Sequence, residues 1–249
     1  MKIILGIVMT FAAPLLFAQQ NSGADDIPDF NGVWLAGGGG GGAPQGGMGA
    51  QGAQGGMGAQ GGMGAPGGRG RPQPTAEAQR LMDEYDLLVD DPAYWCSPSS
   101  ISRAWGNPTP SEIEQHEDRV ILRHEYMDVE RIIYIDGRDH PADAEPNVVG
   151  NSIGWYEGRT LVIDSVGFSP SVISTVSGLP QTETLHVLER LTLSEDGQTL
   201  VRELTYDDPA TLVAPWVTGG RTYQRRPDIT MLPWDCVLED AGYETHIRE

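Results

Sequence analysis

Between residues 119 and 168 the chain reads RVILRHEYMDVERIIYIDGRDHPADAEPNVVGNSIGWYEGRTLVIDSVGF, and this stretch constrains the fold more than any other. Four short runs, 119–126, 131–135, 152–156 and 160–168, are rich in Val, Ile and Tyr, and Asp136-Gly137 and Glu157-Gly158 punctuate them. Side chains of that type fit a pleated, half-buried surface, and Asp-Gly is turn chemistry, so the pattern predicts antiparallel hairpins and not strands joined by long crossover helices. Polar or partly polar residues sit inside these runs or beside them: His124, Glu125, Arg131, Asp136, Arg138, His140, Trp155 and Asp164. If the sheet closes on itself, some of them must point inward.

The rest of the chain agrees with an all-β reading. PDFNGVW at 28–34 reads as a first strand; 185–193 and 199–206 read as a hairpin around Glu195-Asp196-Gly197; 212–223 reads as a further strand, and 234–238 as a short final apolar stretch. Between 169 and 183 the chain reads as loose. One helix is predicted over 75–88, with Ala78, Leu81, Met82, Tyr85 and Leu88 at helical spacing, Thr75 as its cap and VDDP at 89–92 as its stop. Eight or nine strands with no βαβ alternation predict an antiparallel barrel or a strongly curled sheet, and the roughly 200 residues involved make one domain.

Residues 37–72 differ in kind. They repeat a GGMGAQG-like unit without an aromatic or β-branched residue, so they bury too little apolar area to offset their ordering entropy and are expected to be a disordered insertion. Residues 1–18, with Lys2, an apolar run from Ile3 to Phe17 and Ala18, read as a secretory signal peptide. The expected layout is therefore a signal at 1–18, a first-strand region at 19–36, the insertion at 37–72 and the rest of the barrel at 73–249. Without Lys2 the chain has 15 basic against 35 acidic residues, a net charge near −20 with His neutral. A surface that acidic excludes nucleic acid as a partner, and no run is long enough for a membrane span. Cys96 and Cys236, the two cysteines, are expected to form one disulfide in a periplasmic or secreted protein.

Several blocks resemble a broad family of uncharacterised exported bacterial proteins: PDFNGVW, DGRDHP, GNSIGWYEGRTLVIDSVGF, LHVLERL and DDPATLVAPW. Apart from the first block, the resemblance covers most of residues 92–238. It implies a lipocalin-like barrel with an internal cavity. Gly32-Val33-Trp34 is also similar to the G-x-W element that opens lipocalin barrels, which implies a Trp at the barrel floor under an Arg from the last strands: Arg221, Arg225 or Arg226. Where the family shows His in a GHSIG block, this chain has Asn151, so no mechanism built on that imidazole carries over.

The candidate chemistry is dispersed. His116, His124, His140 and His186 form no HxH pair, so neither a metal nor another cofactor is expected. GFSPS at 167–171 lacks the second glycine of a nucleophile elbow. The acid–base candidates are His186, His140, Arg138 and Asp136, with Glu125, Glu189 and Arg190 nearby in the pattern; strand alternation puts His186 and Arg190 on one face and Glu189 on the other. DGRDHP at 136–141 serves either as turn scaffold or as the rim of a site. The six tryptophans suit ligand walls as well as cores. The expected ligand wall comprises His124, Tyr126, Trp155, His186, Arg190 and Trp216, with His186 foremost because its strand partners Leu185, Val187, Leu188 and Leu191 are apolar. Three functions stay open: an exported binder of a small, mostly apolar molecule; a small hydratase, isomerase or lyase; and a surface or assembly protein acting through the glycine-rich segment.

Overall fold

The computed structural model describes residues 27–37, 70–106 and 108–236. The signal-peptide reading, nearly all of the glycine-rich segment and the end of the final apolar stretch lie outside the described residues. Among the described residues, no helix is long and apolar enough to cross a membrane.

Among the described residues twelve strands form: β1 (Gly32–Ala36), β2 (Ser111–Gln115), β3 (Arg119–His124), β4 (Val129–Tyr134), β5 (Asn151–Glu157), β6 (Thr160–Val166), β7 (Ser171–Ser174), β8 (Leu179–Gln181), β9 (His186–Leu193), β10 (Thr199–Asp207), β11 (Trp216–Val217) and β12 (Arg221–Arg225). Nine of them run β10-β12-β1-β2-β3-β4-β5-β6-β9, and pairing of β9 with β10 closes the barrel. β7 and β8 make a small separate sheet in the stretch that reads as loose, and β11 flanks β10. The run at 212–223 thus supplies two strands with Gly219-Gly220 between them.

The barrel is not purely antiparallel. β4 and β5 are parallel and pair through only two positions, Ile133 with Ser152 and Tyr134 with Ile153. Asp136-Gly137 does turn the chain, with Gly137 at φ 81°, but Pro141 and Pro146 prevent an immediate return strand. Residues 135–150 instead cross over, and His140 bonds to Asp164 of β6 on the way. Gly154 is required at the junction: a Cβ there would lie 2.8 Å from both Ile133 Cγ2 and Val162 O.

Among the described residues there are three short helices, α1 (Ala76–Glu84), α2 (Leu87–Asp90) and α3 (Ile101–Gly106), with 3₁₀ turns at Pro92–Trp95 and Tyr126–Asp128; α1 and α2 divide the span expected to hold one helix. Thr75 caps α1 through Ala78 N–H, as its position implies. The helix stops at Glu84 because Tyr85 turns extended, and Asp86 starts the next one by accepting from Leu88 N–H. The Cys96–Cys236 disulfide forms, with Cα atoms 5.7 Å apart.

Register and burial divide the interior into layers. At one end lie Trp34, Val120, Leu161, Leu193 and Leu200, all buried. Each such side chain contributes about 1.5–3 kcal/mol by leaving water. Arg225 closes this floor. Its guanidinium lies 4.7 Å from the Trp34 ring centroid and donates to the backbone oxygens of Asn31, Asp29 (2.6 Å) and Gly197 (2.8 Å), the contact that the G-x-W likeness implies. Toward the other end the inward residues become polar, and α3 enters among them with Ile101, Ala104 and Trp105 buried.

Candidate functional site

Alternation along three strands places a charge on an otherwise apolar inward face. Arg131 lies between Val129 and Ile133 on β4, Glu189 between Val187 and Leu191 on β9, and Arg202 between Leu200 and Leu204 on β10; all are buried. Arg131 Nη2 donates to Glu189 Oε1 at 2.5 Å and to Ser152 and Ser165 Oγ at 3.3 Å, and the two serines bond each other at 2.8 Å. Arg202 donates to Glu189 Oε2 through Nε at 3.0 Å and Nη2 at 2.9 Å. Burial pushes the Glu189 carboxyl pKa up, but the fields and hydrogen bonds of both guanidiniums outweigh it and hold the value down to about 2.

His124, at the inward end of β3, joins this layer. Its Nδ1 is 2.7 Å from Ser111 Oγ, and the Trp105 ring meets its imidazole edge-on at 4.9 Å. Burial, then Arg131 and Arg202, lower its pKa to about 3, so the imidazole is neutral and a weak base. That argues against reading Ser111–His124 as a nucleophile and its activator. Trp105 also packs against Tyr223 at 4.9 Å and under the Arg202 guanidinium at 5.2 Å, and Tyr223 OH donates to its backbone oxygen. α3 is therefore a plug resting on the polar layer.

Several buried donors in this layer meet no acceptor among the described residues: Arg131 Nε and Nη1 and Trp105 Nε1. His124 Nε2 is likewise without a partner. Two cavities lie against this end of the barrel, one with Arg131 and the other with His124 among its lining residues, although both side chains are buried. One, of about 330 Å³, opens at the short β4–β5 ladder and is lined by Arg131, Ile132, Tyr134, Asn147, Val149 and Ser152. The other, of about 370 Å³, lies beneath residues 231–233 and is lined by His124, Arg123, Asp128 and Glu130. The cover over the second is anchored by Leu232 N–H to Glu125 and Trp234 N–H to Asp128, with the Trp234 ring 5.4 Å from Tyr126.

The residues singled out from sequence fall in two places. His124 and Tyr126 are inside, and Trp216 is half-buried, stacked on the inward Tyr206 at 5.2 Å. His186, expected among apolar partners inside, instead faces outward, because Val187, Glu189 and Leu191 occupy the inward positions of β9. It shares Asp164 Oδ1 with His140, at 2.8 and 3.1 Å, so the pair fastens the crossover loop to the outer wall. Arg190 and Trp155 are also outside, both bonded to Glu157. Asp136 and Arg138 pair with each other in the loop, the arginine lying over the Tyr134 ring and holding the Asp136 pKa below the usual range. The structure thus gathers His124 with Arg131, Glu189 and Arg202, and separates them from His186, His140, Arg138 and Asp136. Arg202, Ser111, Ser152 and Ser165 were not among the sequence candidates. A lone charge on an apolar face in each of VERII, VLERL and LVRELTY is the signal that marks Arg131, Glu189 and Arg202 one by one as inward-facing. No family model and no curated protein matches the chain.

Proposed function

We propose that the chain is an exported binding protein that holds a small, mostly apolar molecule against the polar layer of its barrel. The observation that carries this reading is the pair of cavities adjoining buried polar groups that lack partners, Arg131 on one side and His124 on the other. Buried polar groups in native proteins are nearly always satisfied, and a pocket with apolar walls and a few convergent polar groups is the usual form of a small-molecule site. Ile132, Tyr134 and Val149 supply such walls at the seam. The leader-like residues 1–18 and the disulfide, a bond that persists in an oxidising compartment, support the export part of this reading. The hydratase, isomerase or lyase reading gains less support, since the neutral His124 is a weak base and His186 and His140 are tied up on Asp164 outside the barrel.

Tryptophan fluorescence provides the test. Trp105 touches His124 and Arg202, so a ligand reaching the layer should change emission on titration of the purified chain with a panel of apolar small molecules. A panel that leaves the emission unchanged and adds nothing to thermal stability would overturn the reading.

A further inference from the structure

Among the described residues, three that are not glycine have left-handed backbone: Cys96 (φ 51°), Met127 (φ 54°) and Asp128 (φ 49°). A Cβ makes that conformation costly, and residues held in it gather where a structure is poised to change. The three belong to one assembly. Met127 and Asp128 turn the chain from β3 into β4, and Asp128 Oδ1 accepts from Trp234 N–H at 3.0 Å. Cys96 holds the same segment through its disulfide to Cys236. Residues 231–236 are thus a strap across the barrel end, and they run as irregular chain. The Trp234 ring meets Tyr126 edge-on and packs on the buried cluster of Ala104, Tyr126 and Val129. Besides the Trp234 bond, Leu232 N–H donates to Glu125 Oε2 at 2.8 Å, and both of these hydrogen bonds are exposed. Such bonds add little against water, so the covalent link is the strong tie.

That tie is open to attack. Cys236 is exposed and Cys96 half-buried, and an exposed disulfide is the labile, regulatory kind. We propose that the strap is a reducible cover, released by a dithiol. One thiolate of the dithiol attacks Cys236 Sγ, the S–S bond breaks, and Cys96 leaves as a thiolate that takes up a proton. The second thiol then attacks the mixed disulfide. The dithiol ends as a cyclic disulfide, and Cys236 is released as a thiol. The strap lifts, and the apolar surface of Ala104, Tyr126 and Val129 meets solvent. Closure needs only reoxidation of the same two thiols. The cover goes beyond the binding reading and requires no ligand.

The experiment labels tyrosines of the full chain with N-acetylimidazole and locates the product by peptide mass spectrometry. One sample keeps its disulfide; the other is reduced with dithiothreitol, alkylated with iodoacetamide and freed of reagent. Tyr126, 2% exposed, should acetylate about tenfold faster or more once the cross-link is gone, while the half-buried Tyr134 keeps its rate and far-UV circular dichroism is unchanged. Trp234→Ala should also speed labelling of Tyr126 with the disulfide intact. A Tyr126 that stays protected in the reduced, alkylated chain would overturn the cover. So would general loss of β-structure on reduction, which would make the disulfide a staple of the whole barrel. An unchanged Tyr126 rate in Trp234→Ala would show that something other than the strap shields it, and would overturn the inference as well. None of these readings involves a ligand, so the binding reading stands or falls separately.

Discussion

The two ends of the barrel interior are built from the same strands and solve burial in opposite ways. At the floor, Trp34, Val120, Leu161, Leu193 and Leu200 interlock, and Arg225 lies over Trp34, with its hydrogen bonds going to backbone oxygens and an ion pair to Asp29 at 3.6 Å. Four residues away along β3, β6 and β9 the inward positions hold His124, Ser165 and Glu189, joined by Arg131 of β4 and Ser152 of β5, with idle donors among them. Dispersion and water exclusion suffice at the floor. The polar layer depends on mutual compensation, so removing one member injures the rest. An apolar layer holds a barrel together, and a polar layer left with unmet donors is suited to receiving something.

Glu189→Ala tests that difference most severely. It leaves two buried guanidiniums without a counterion and should cost about 3–5 kcal/mol, read as a drop in denaturant midpoint. Leu161→Ala at the floor should cost about 3 kcal/mol through the cavity it creates, with no dependence on pH. If Glu189→Ala proves milder than Leu161→Ala, the layer is not mutually compensated.

Replacing both Cys96 and Cys236 by Ser should cost about 2–4 kcal/mol. The loss should be local to the polar end, because Cys96 precedes the α3 plug and Cys236 follows the cover anchored on Glu125 and Asp128. Hydrogen exchange should accelerate in α3 and leave β9 and β10 protected; uniform acceleration would erase the contrast.

Acid should also weaken the polar end selectively. His124 has a folded pKa lowered from 6.5 to about 3, so the unfolded chain takes up the proton first, and stability present above about pH 6.5 falls as pH drops toward 3. Glu189 is lowered from 4.5 to about 2, so its contribution is intact above about pH 4.5 and is lost only below that. Between pH 7 and 4.5 the loss therefore belongs to His124, on the order of 2–3 kcal/mol. His124→Asn should flatten the curve in that window; a curve that keeps its slope would assign the effect elsewhere. The smallest effect is expected of Gly154→Ala, about 1–2 kcal/mol from crowding Ile133 and the Val162 carbonyl at the parallel junction, measurable as a lower Tm.

Much of this was legible in sequence because period-2 patterning is local. Alternation in VILRH and VERII fixes the inward faces of β3 and β4, and Thr75 announces its own cap. The Arg225–Trp34 floor contact was legible as one of three options. What was not legible depends on partners far apart in the chain. Asp136-Gly137 is turn chemistry whether or not a hairpin follows, and only assembly of the whole sheet shows the strand returning parallel. Likewise, His186 reads as interior from its apolar neighbours, although those neighbours at i±1 are what turns it outward. Arg131, Glu189 and Arg202 lie on three strands, and no local pattern says that they meet.

The disulfide encloses every strand from β2 to β12 and leaves out β1. β1 nonetheless stands in the middle of the wall, paired with β12 on one side and β2 on the other, and supplies Trp34 to the floor. A single proteolytic nick between residues 37 and 70 would therefore turn the molecule into two chains, one of them a short peptide carrying Gly32-Val33-Trp34. Ladder bonds, the Arg225 clasp, the hydrogen bonds between Gln115 and residues 28–31, and the core packing of Phe30 and Trp34 would hold it in place. The fold thus contains a ready division for fragment complementation, in which a synthetic first stave, labelled or altered at will, is added back to a disulfide-closed remainder.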